Sequence, residues 1–173
     1  MKSLRNKILS AKILVVDDSH SMRKLLRAMI EAADYKNVSE SDNGPDAILR
    51  IEKGECDLLV TDWKMDPMDG LELSKRVRAM SNLKLATMPI ILVSAFCDKE
   101  LVAKARDYGI NEVMAKPVAA KVIQAKVETL LTVPTNFVRA PEYKGPDRRR
   151  HRQGYDGQEK RRPNPPAVME VIG

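Results

Sequence analysis

Four short apolar runs in this chain each stop at a polar side chain. Ile13-Leu14-Val15-Val16 ends at Asp17-Asp18, and Leu58-Leu59-Val60-Thr61 ends at Asp62. Ile90-Ile91-Leu92-Val93 ends at Ser94, and Val113-Met114 leads to Lys116. Short, unbroken, aliphatic runs are expected of strands buried on both faces, the condition met in parallel sheets covered by helices. The segments between them carry helical spacing. Met22, Leu25, Leu26, Met29 and Ile30 make an apolar stripe, with Ser19 or Ser21 available as a cap. Residues 45–53 read as a helix entered through Asn43-Gly44 and stopped at Gly54, and 71–80 read as another after a loop holding Pro67. Leu101, Val102, Ala105 and Tyr108 mark a helix ending at Gly109, and Val122, Ile123, Val127, Leu130 and Leu131 mark the last one. With a weaker strand at 38–41, five strand–helix units follow in succession. The fold class is α/β, a five-stranded doubly wound parallel sheet.

In such sheets, ligands bind outside the carboxyl ends of the strands. Asp17, Asp18, Asp62, Ser94 and Lys116 all fall at those ends. One strand-end aspartate can be explained as a helix cap, but five polar groups at four strand ends call for a shared site. Crowded carboxylates repel and raise the pKa of at least one of them. A hard divalent cation, Mg²⁺ by its oxygen preference, would relieve the repulsion. Lys116 and Ser94 are suited to the oxygens of a phosphoryl group.

The set Asp17-Asp18, Asp62-Trp63-Lys64-Met65, Met68-Asp69-Gly70, Ser94-Ala95 and Lys116-Pro117 resembles the receiver domain of two-component response regulators of the CheY type, over about residues 10–132. That resemblance implies that Asp62 is the phosphoacceptor. It implies that Asp18, Asp62 and the Lys64 carbonyl hold Mg²⁺, with Asp17 assisting through water, and that Ser94 and Lys116 contact the phosphoryl group. A histidine kinase or phosphotransfer protein would be the phosphoryl source. Two positions depart from the family pattern. Val113 stands where receivers usually carry an aromatic, three residues before the lysine, and Pro67 lies one place later than in the commonest loop.

Beyond Pro134 the periodicity is lost among prolines and charges. We read 133–141 as a linker and 142–173 as a basic tail, disordered until it meets a ligand, with Phe137 and Val138 able to dock on the domain. From Arg139 onward nine Lys/Arg stand against five Asp/Glu, so most of the net charge of +6 belongs to this segment and points to an anionic partner. The tail also holds a repeat. Tyr143-Lys144-Gly145-Pro146-Asp147-Arg148-Arg149-Arg150 and Tyr155-Asp156-Gly157-Gln158-Glu159-Lys160-Arg161-Arg162 both read Tyr-x-Gly-x-acid-base-Arg-Arg. An aromatic face, a turn, a carboxylate and an arginine pair are the groups needed to hold a guanine nucleotide: Arg for O6, N7 or phosphate, Tyr for stacking, the acid for base N–H donors.

This tail resembles the arginine-rich extension of the Cle class of CheY-like proteins, which binds cyclic di-GMP and tunes the flagellar motor and surface attachment. The resemblance covers about residues 137–162. It assigns guanine or phosphate contacts to Arg148, Arg149, Arg150, Arg152, Arg161 and Arg162, stacking to Tyr143 and Tyr155, and base-edge contacts to Asp147, Asp156 or Glu159. It implies docking on the flagellar motor switch protein. The alternatives are a phosphorylation-controlled regulator with an incidental tail, or a nucleic-acid-binding arm. The interleaved acids would repel a polyanion and argue against the arm.

No enzyme of the usual kind is expected, since there is no second substrate site. Cys56 and Cys97 lack any CxxC spacing, and the amino terminus has no long apolar stretch. The expectation is therefore a reduced, cytoplasmic protein without membrane insertion.

Overall fold

Each apolar run forms a strand, and each helical stripe forms a helix laid against it. The structure, a computed structural model, describes residues 2–133, 135–140, 143–147 and 170–172. The strands are β1 (Lys12–Val16), β2 (Asn37–Ser41), β3 (Leu58–Asp62), β4 (Ile90–Ser94) and β5 (Glu112–Ala115), all parallel in the order β2-β1-β3-β4-β5. Alternate residues of the central strands feed two separate cores. Leu14, Val16, Leu59 and Leu92 face α3 (Gly44–Glu52), α4 (Gly70–Ala79) and α6 (Lys99–Asp107). Ile13, Val15, Leu58, Val60, Ile91 and Val93 face α2 (His20–Glu31) and α7 (Ala120–Thr132). Burial on both sides is why these runs show no polar alternation.

Local chemistry fixes where the helices begin. Ser19, Asn43, Asp69 and Asp98 each accept a backbone N–H of the first turn, satisfying donors that the helix leaves open. Gly70 sits where a Cβ would collide with the carbonyl oxygen of Asp62. Its N–H donates to the Trp63 carbonyl at 2.7 Å, so this glycine lets the 63–70 loop close tightly over the end of β3. Cys56 is buried, and burial pushes its thiol up to about 12, so it serves the core rather than chemistry.

Two helices were not anticipated. α1 (Lys2–Leu9) brings Ile8 and Leu9 onto the α2–α7 core, and α5 (Leu83–Ala86) is a single turn capped by Asn82. Each has too few apolar positions to register as a period.

The chain continues past α7 into β6 (Phe137–Ala140), β7 (Tyr143–Pro146) and β8 (Glu170–Ile172), an antiparallel sheet in the order β7-β6-β8. Strands thus occupy both 137–140, read from sequence as linker, and 143–146, read as tail. Phe137 and Val138 supply the reason: they are only 4% and 8% exposed. Phe137 lies over the guanidinium of Arg78, 5.1 Å from ring centroid to Cζ. No helix among the described residues is long and apolar enough to cross a membrane.

Candidate functional site

The carboxyl ends of β1 and β3 and the segment after β5 bring three of the strand-end groups, Asp17, Asp62 and Lys116, into contact. Asp17 follows β1 and is fully buried; Asp62 closes β3 at 7% exposure. The Lys116 ammonium reaches in from beyond β5 and bridges them, 2.6 Å from Asp62 Oδ1 and 2.9 Å from Asp17 Oδ2. The other Asp17 oxygen accepts the Ser19 N–H at 2.9 Å, and Arg23 donates to the Asp17 carbonyl at 2.6 Å. The buried aspartate is thereby fixed in orientation.

Charge in this pocket is finely opposed. Burial pushes the Asp62 carboxyl above the ordinary aspartate range; the charges of Asp17 and Asp18 add to the rise, while Lys116 restrains it. Burial also disfavours the Lys116 charge, but its bonds to Asp62 and Asp17 outweigh that and hold its pKa above the usual lysine value. Asp18 is exposed and acts on Asp62 through its field. Ser94 closes β4, is buried, and is engaged with its own loop: its hydroxyl donates to the Phe96 carbonyl at 2.7 Å and accepts the Phe96 N–H at 3.1 Å. Lys64 is exposed, its ammonium lying between the rings of Trp63 and Phe96 at 5.2 and 5.3 Å. Val113 packs against the α3–α4–α6 core.

Among the described residues no three His, Cys, Asp or Glu side chains close on one point as a ready-made metal cluster. Lys116 occupies the gap between the carboxylates instead. The donors are nonetheless carboxylate oxygens crowded at one strand-end pocket, the chemistry that suits Mg²⁺ once the ammonium moves aside.

These elements carry a recognisable pattern, and a family model described as response regulator receiver domain matches residues 13–128. The chain belongs to the response regulator receiver family. It is a CheY-like regulator of two-component signalling. It is 32% identical to chemotaxis protein CheY-3 of Vibrio cholerae over 130 residues, covering 75% of this chain and 97% of that one. It is 34% identical to chemotaxis protein CheY of Pseudomonas aeruginosa over 119 residues, covering 69% and 94%. Among solved structures, Vibrio cholerae CheY4 superposes with a TM-score of 0.65 at 26% identity, covering 70% of this chain and 98% of that one. A putative response regulator from Chloroflexus aurantiacus gives 0.67 at 27%, covering 72% and 99%. Receiver domains typically bind Mg²⁺.

These likenesses cover the receiver and leave the tail to its own residues. Tyr143 lies on β7, its hydroxyl donating to the Pro146 carbonyl at 2.9 Å, and the Asp147 N–H closes the hairpin on the Asn136 carbonyl at 2.7 Å. Arg148, Arg149, Arg150, Arg152, Tyr155, Asp156, Glu159, Arg161 and Arg162 lie outside the described residues.

Sequence reasoning missed Arg78. This arginine is 3% exposed, and it donates to the carbonyls of Gly109, Ala86 and Met88 and to Asn111 Oδ1 at 2.7–3.0 Å. Burial pushes its guanidinium down to about 9. It ties the end of α4 to the segments entering β4 and β5, and it is the seat for Phe137. A signal was present: Leu71, Ser74 and Arg78 share one helical stripe, so the arginine interrupts an otherwise inward face.

Proposed function

We propose that this receiver accepts a phosphoryl group on Asp62 and that its tail binds cyclic di-GMP, the two inputs governing how the protein docks on a partner. The observation that carries the first half is Lys116, held 2.6 Å from Asp62 at the mouth of a buried strand-end pocket. An Asp62 oxygen attacks phosphorus, its electron pair forms the O–P bond, and the leaving group departs with the electrons of the bond it loses. Lys116 then transfers its ion pair from the carboxylate to a phosphoryl oxygen. Ser94 donates to another after leaving the Phe96 carbonyl. Asp18, Asp62 and the Lys64 carbonyl would hold Mg²⁺, with Asp17 assisting through water, and the ion would offset the negative charge that gathers there.

The second half rests on the duplicated Tyr-x-Gly-x-acid-base-Arg-Arg pattern. Cyclic di-GMP has two guanines and two phosphates, and a duplicated half-site matches that symmetry. A tail ordered by its ligand must offset ~2–5 kcal/mol, within reach of several charge-assisted bonds at ~1.5–3 kcal/mol each. The seating of Phe137 on Arg78 favours this reading over an incidental tail, because it holds β6 and its partner β7, where the first repeat begins, against the receiver. The partner class follows from the relatives, which are named chemotaxis proteins. We assign docking to the flagellar motor switch, with control of motility and surface attachment as the output.

Two measurements on the full chain test the halves separately. Incubation with a small acyl phosphate and Mg²⁺ should give a stoichiometric phosphoryl adduct, cleaved by alkali and hydroxylamine, that Asp62→Asn lacks. Calorimetric titration should show saturable binding of cyclic di-GMP and much weaker binding of cyclic di-AMP. Equal heats for the two nucleotides, or heats matched by duplex DNA, would replace the tail reading with a polybasic arm.

A further inference from the structure

A cavity of about 700 Å³ opens between α1, the turn from α2 into β2, and α7. It shares no lining residue with the aspartate pocket or the hairpin. α1 precedes residues 13–128 matched by the receiver family, so one wall of the cavity lies outside that match. Ile8 and Leu9 of that helix and Ala33 of the turn give the cavity an apolar side, continuous with the α2–α7 core.

Several polar groups meet this space with bonding capacity unspent. Tyr35 is 3% exposed, and its hydroxyl makes no hydrogen bond among the described residues. None of those residues leaves a sealed side-chain oxygen or nitrogen unsatisfied, so the Tyr35 oxygen opens on the cavity that this side chain lines. Burial, and then the charge of Glu128, push its pKa up and keep the phenol a neutral hydroxyl. Gln124 donates its amide N–H to the Met29 carbonyl at 2.6 Å, which leaves its amide oxygen as an acceptor. One turn on, the Glu128 carboxylate is exposed and has no ion pair among the described residues. Asp34 also borders the cavity, but its carboxylate faces Lys36 at 4.0 Å and has no part in the site.

The opposite charge is supplied by Lys121 on α7 and Arg5 on α1, both exposed and both without an ion pair among the described residues. Lys121 and Glu128 stand two turns apart on one face of α7, about 10 Å along its axis. An ammonium has three donors, and Glu128, Gln124 and Tyr35 offer three acceptors. A ligand that satisfies both ends of the cavity therefore carries an ammonium and a carboxylate separated by an apolar body. Three extended peptide residues span about 10 Å, the separation of the two charges. The cavity volume lies within the roughly 300–1,000 Å³ common for ligand sites.

We infer that this cavity is a binding site for a short apolar peptide with both ends free, of tripeptide length. Its ammonium is held by Glu128, Gln124 and the Tyr35 oxygen, its carboxylate by Lys121, and its side chains lie on Ile8, Leu9 and Ala33. The site stands apart from the phosphoryl and cyclic di-GMP readings and would survive the failure of either.

The test is calorimetric titration of the full chain with Ala-Leu-Ala, its N-acetylated and C-amidated forms, and Gly-Gly-Gly, beside Glu128→Gln, Lys121→Gln and Tyr35→Phe. Glu128 and Lys121 are exposed and Tyr35→Phe keeps the buried ring, so all three variants should melt as the parent chain does. The expected result is saturable binding of Ala-Leu-Ala, weakened about tenfold or more by either cap, because a charge-assisted bond is lost. Gly-Gly-Gly should bind more weakly still, having no side chain to lay on the apolar wall. Glu128→Gln should shrink the gap between free and acetylated peptide, and Lys121→Gln the gap between free and amidated peptide. Tyr35→Phe should weaken the free peptide several-fold and leave the acetylated form unmoved. Absence of binding, or affinity unchanged in both Glu128→Gln and Lys121→Gln, overturns the site. Equal binding of free and acetylated peptide overturns the ammonium assignment and, with it, the free-ended ligand.

Discussion

Replacing Phe137 by Ala should free the hairpin from the receiver without unfolding the receiver itself. Phe137 is 4% exposed and its ring covers the Arg78 guanidinium. Truncating a buried Phe to Ala typically costs about 3–5 kcal/mol, and the lost cation–π contact accounts for about 0.5–2 kcal/mol of interaction at such sites. That contact joins β6 to α4, whereas the five-stranded sheet draws its stability from the two cores described above. The loss should therefore appear as local opening. It is also bounded, because undocking returns water to a guanidinium that burial had driven down to about 9. A penalty of about 3 kcal/mol is a more than hundredfold rise in the open population. Native-state hydrogen exchange is the assay: amides of 138–140 and 143–145 should exchange over a hundredfold faster, while those of Leu92 and Val93 in β4 keep their protection. Phe137→Leu retains apolar bulk but not the ring face, so it should lose only about 1–2 kcal/mol. Unchanged exchange in the hairpin, or equal loss in β4, would refute the reasoning.

Three further outcomes are expected. Asp62→Asn should block acyl-phosphate formation and raise the melting temperature at pH 7. The carboxyl pKa is higher folded than unfolded, so its contribution is favourable below the unfolded pKa and lost as pH rises through the folded value; the gain from Asn should shrink on acidification, as melts across pH would show. Lys116→Met leaves Asp17 and Asp62 facing each other without a cation. Phosphoryl transfer from a small donor should slow about a hundredfold in stopped assays, and the stability lost at neutral pH should return on acidification. Replacing Arg148 and Arg149 by Ala, or Arg161 and Arg162, should each cost several kcal/mol of cyclic di-GMP affinity, roughly 1.5–3 kcal/mol per charged bond; Asp147→Asn should reduce guanine over adenine discrimination in the same calorimetry.

The sheet was legible because its central strands are buried on both faces and four of its strands lead to a polar group; Asp17, Asp62 and Lys116 meet at those ends. Ser94 closes β4 where its apolar run ends, but its bond to the Phe96 carbonyl was not foreseeable, because a serine's choice among nearby carbonyls depends on the path of its loop. The hairpin was legible only as two apolar residues, Phe137 and Val138, without a destination. Their seat, Arg78, belongs to a helix some sixty residues earlier, and propensity carries no information about so distant a pair. The placing of Lys64 against Phe96, thirty-two residues on, escaped for the same reason.

The partnership of Arg78 and Phe137 also bears on how the two positions can vary. A receiver without a hairpin still uses Arg78 to tie α4 to the segments entering β4 and β5, but a hairpin without that arginine loses the face on which Phe137 sits. Among related chains the aromatic should therefore be found only with the arginine, even though neither touches the aspartate pocket. About ten residues and one prepared helix position would then suffice to seat a hairpin on an existing receiver, a smaller step than acquiring a new domain.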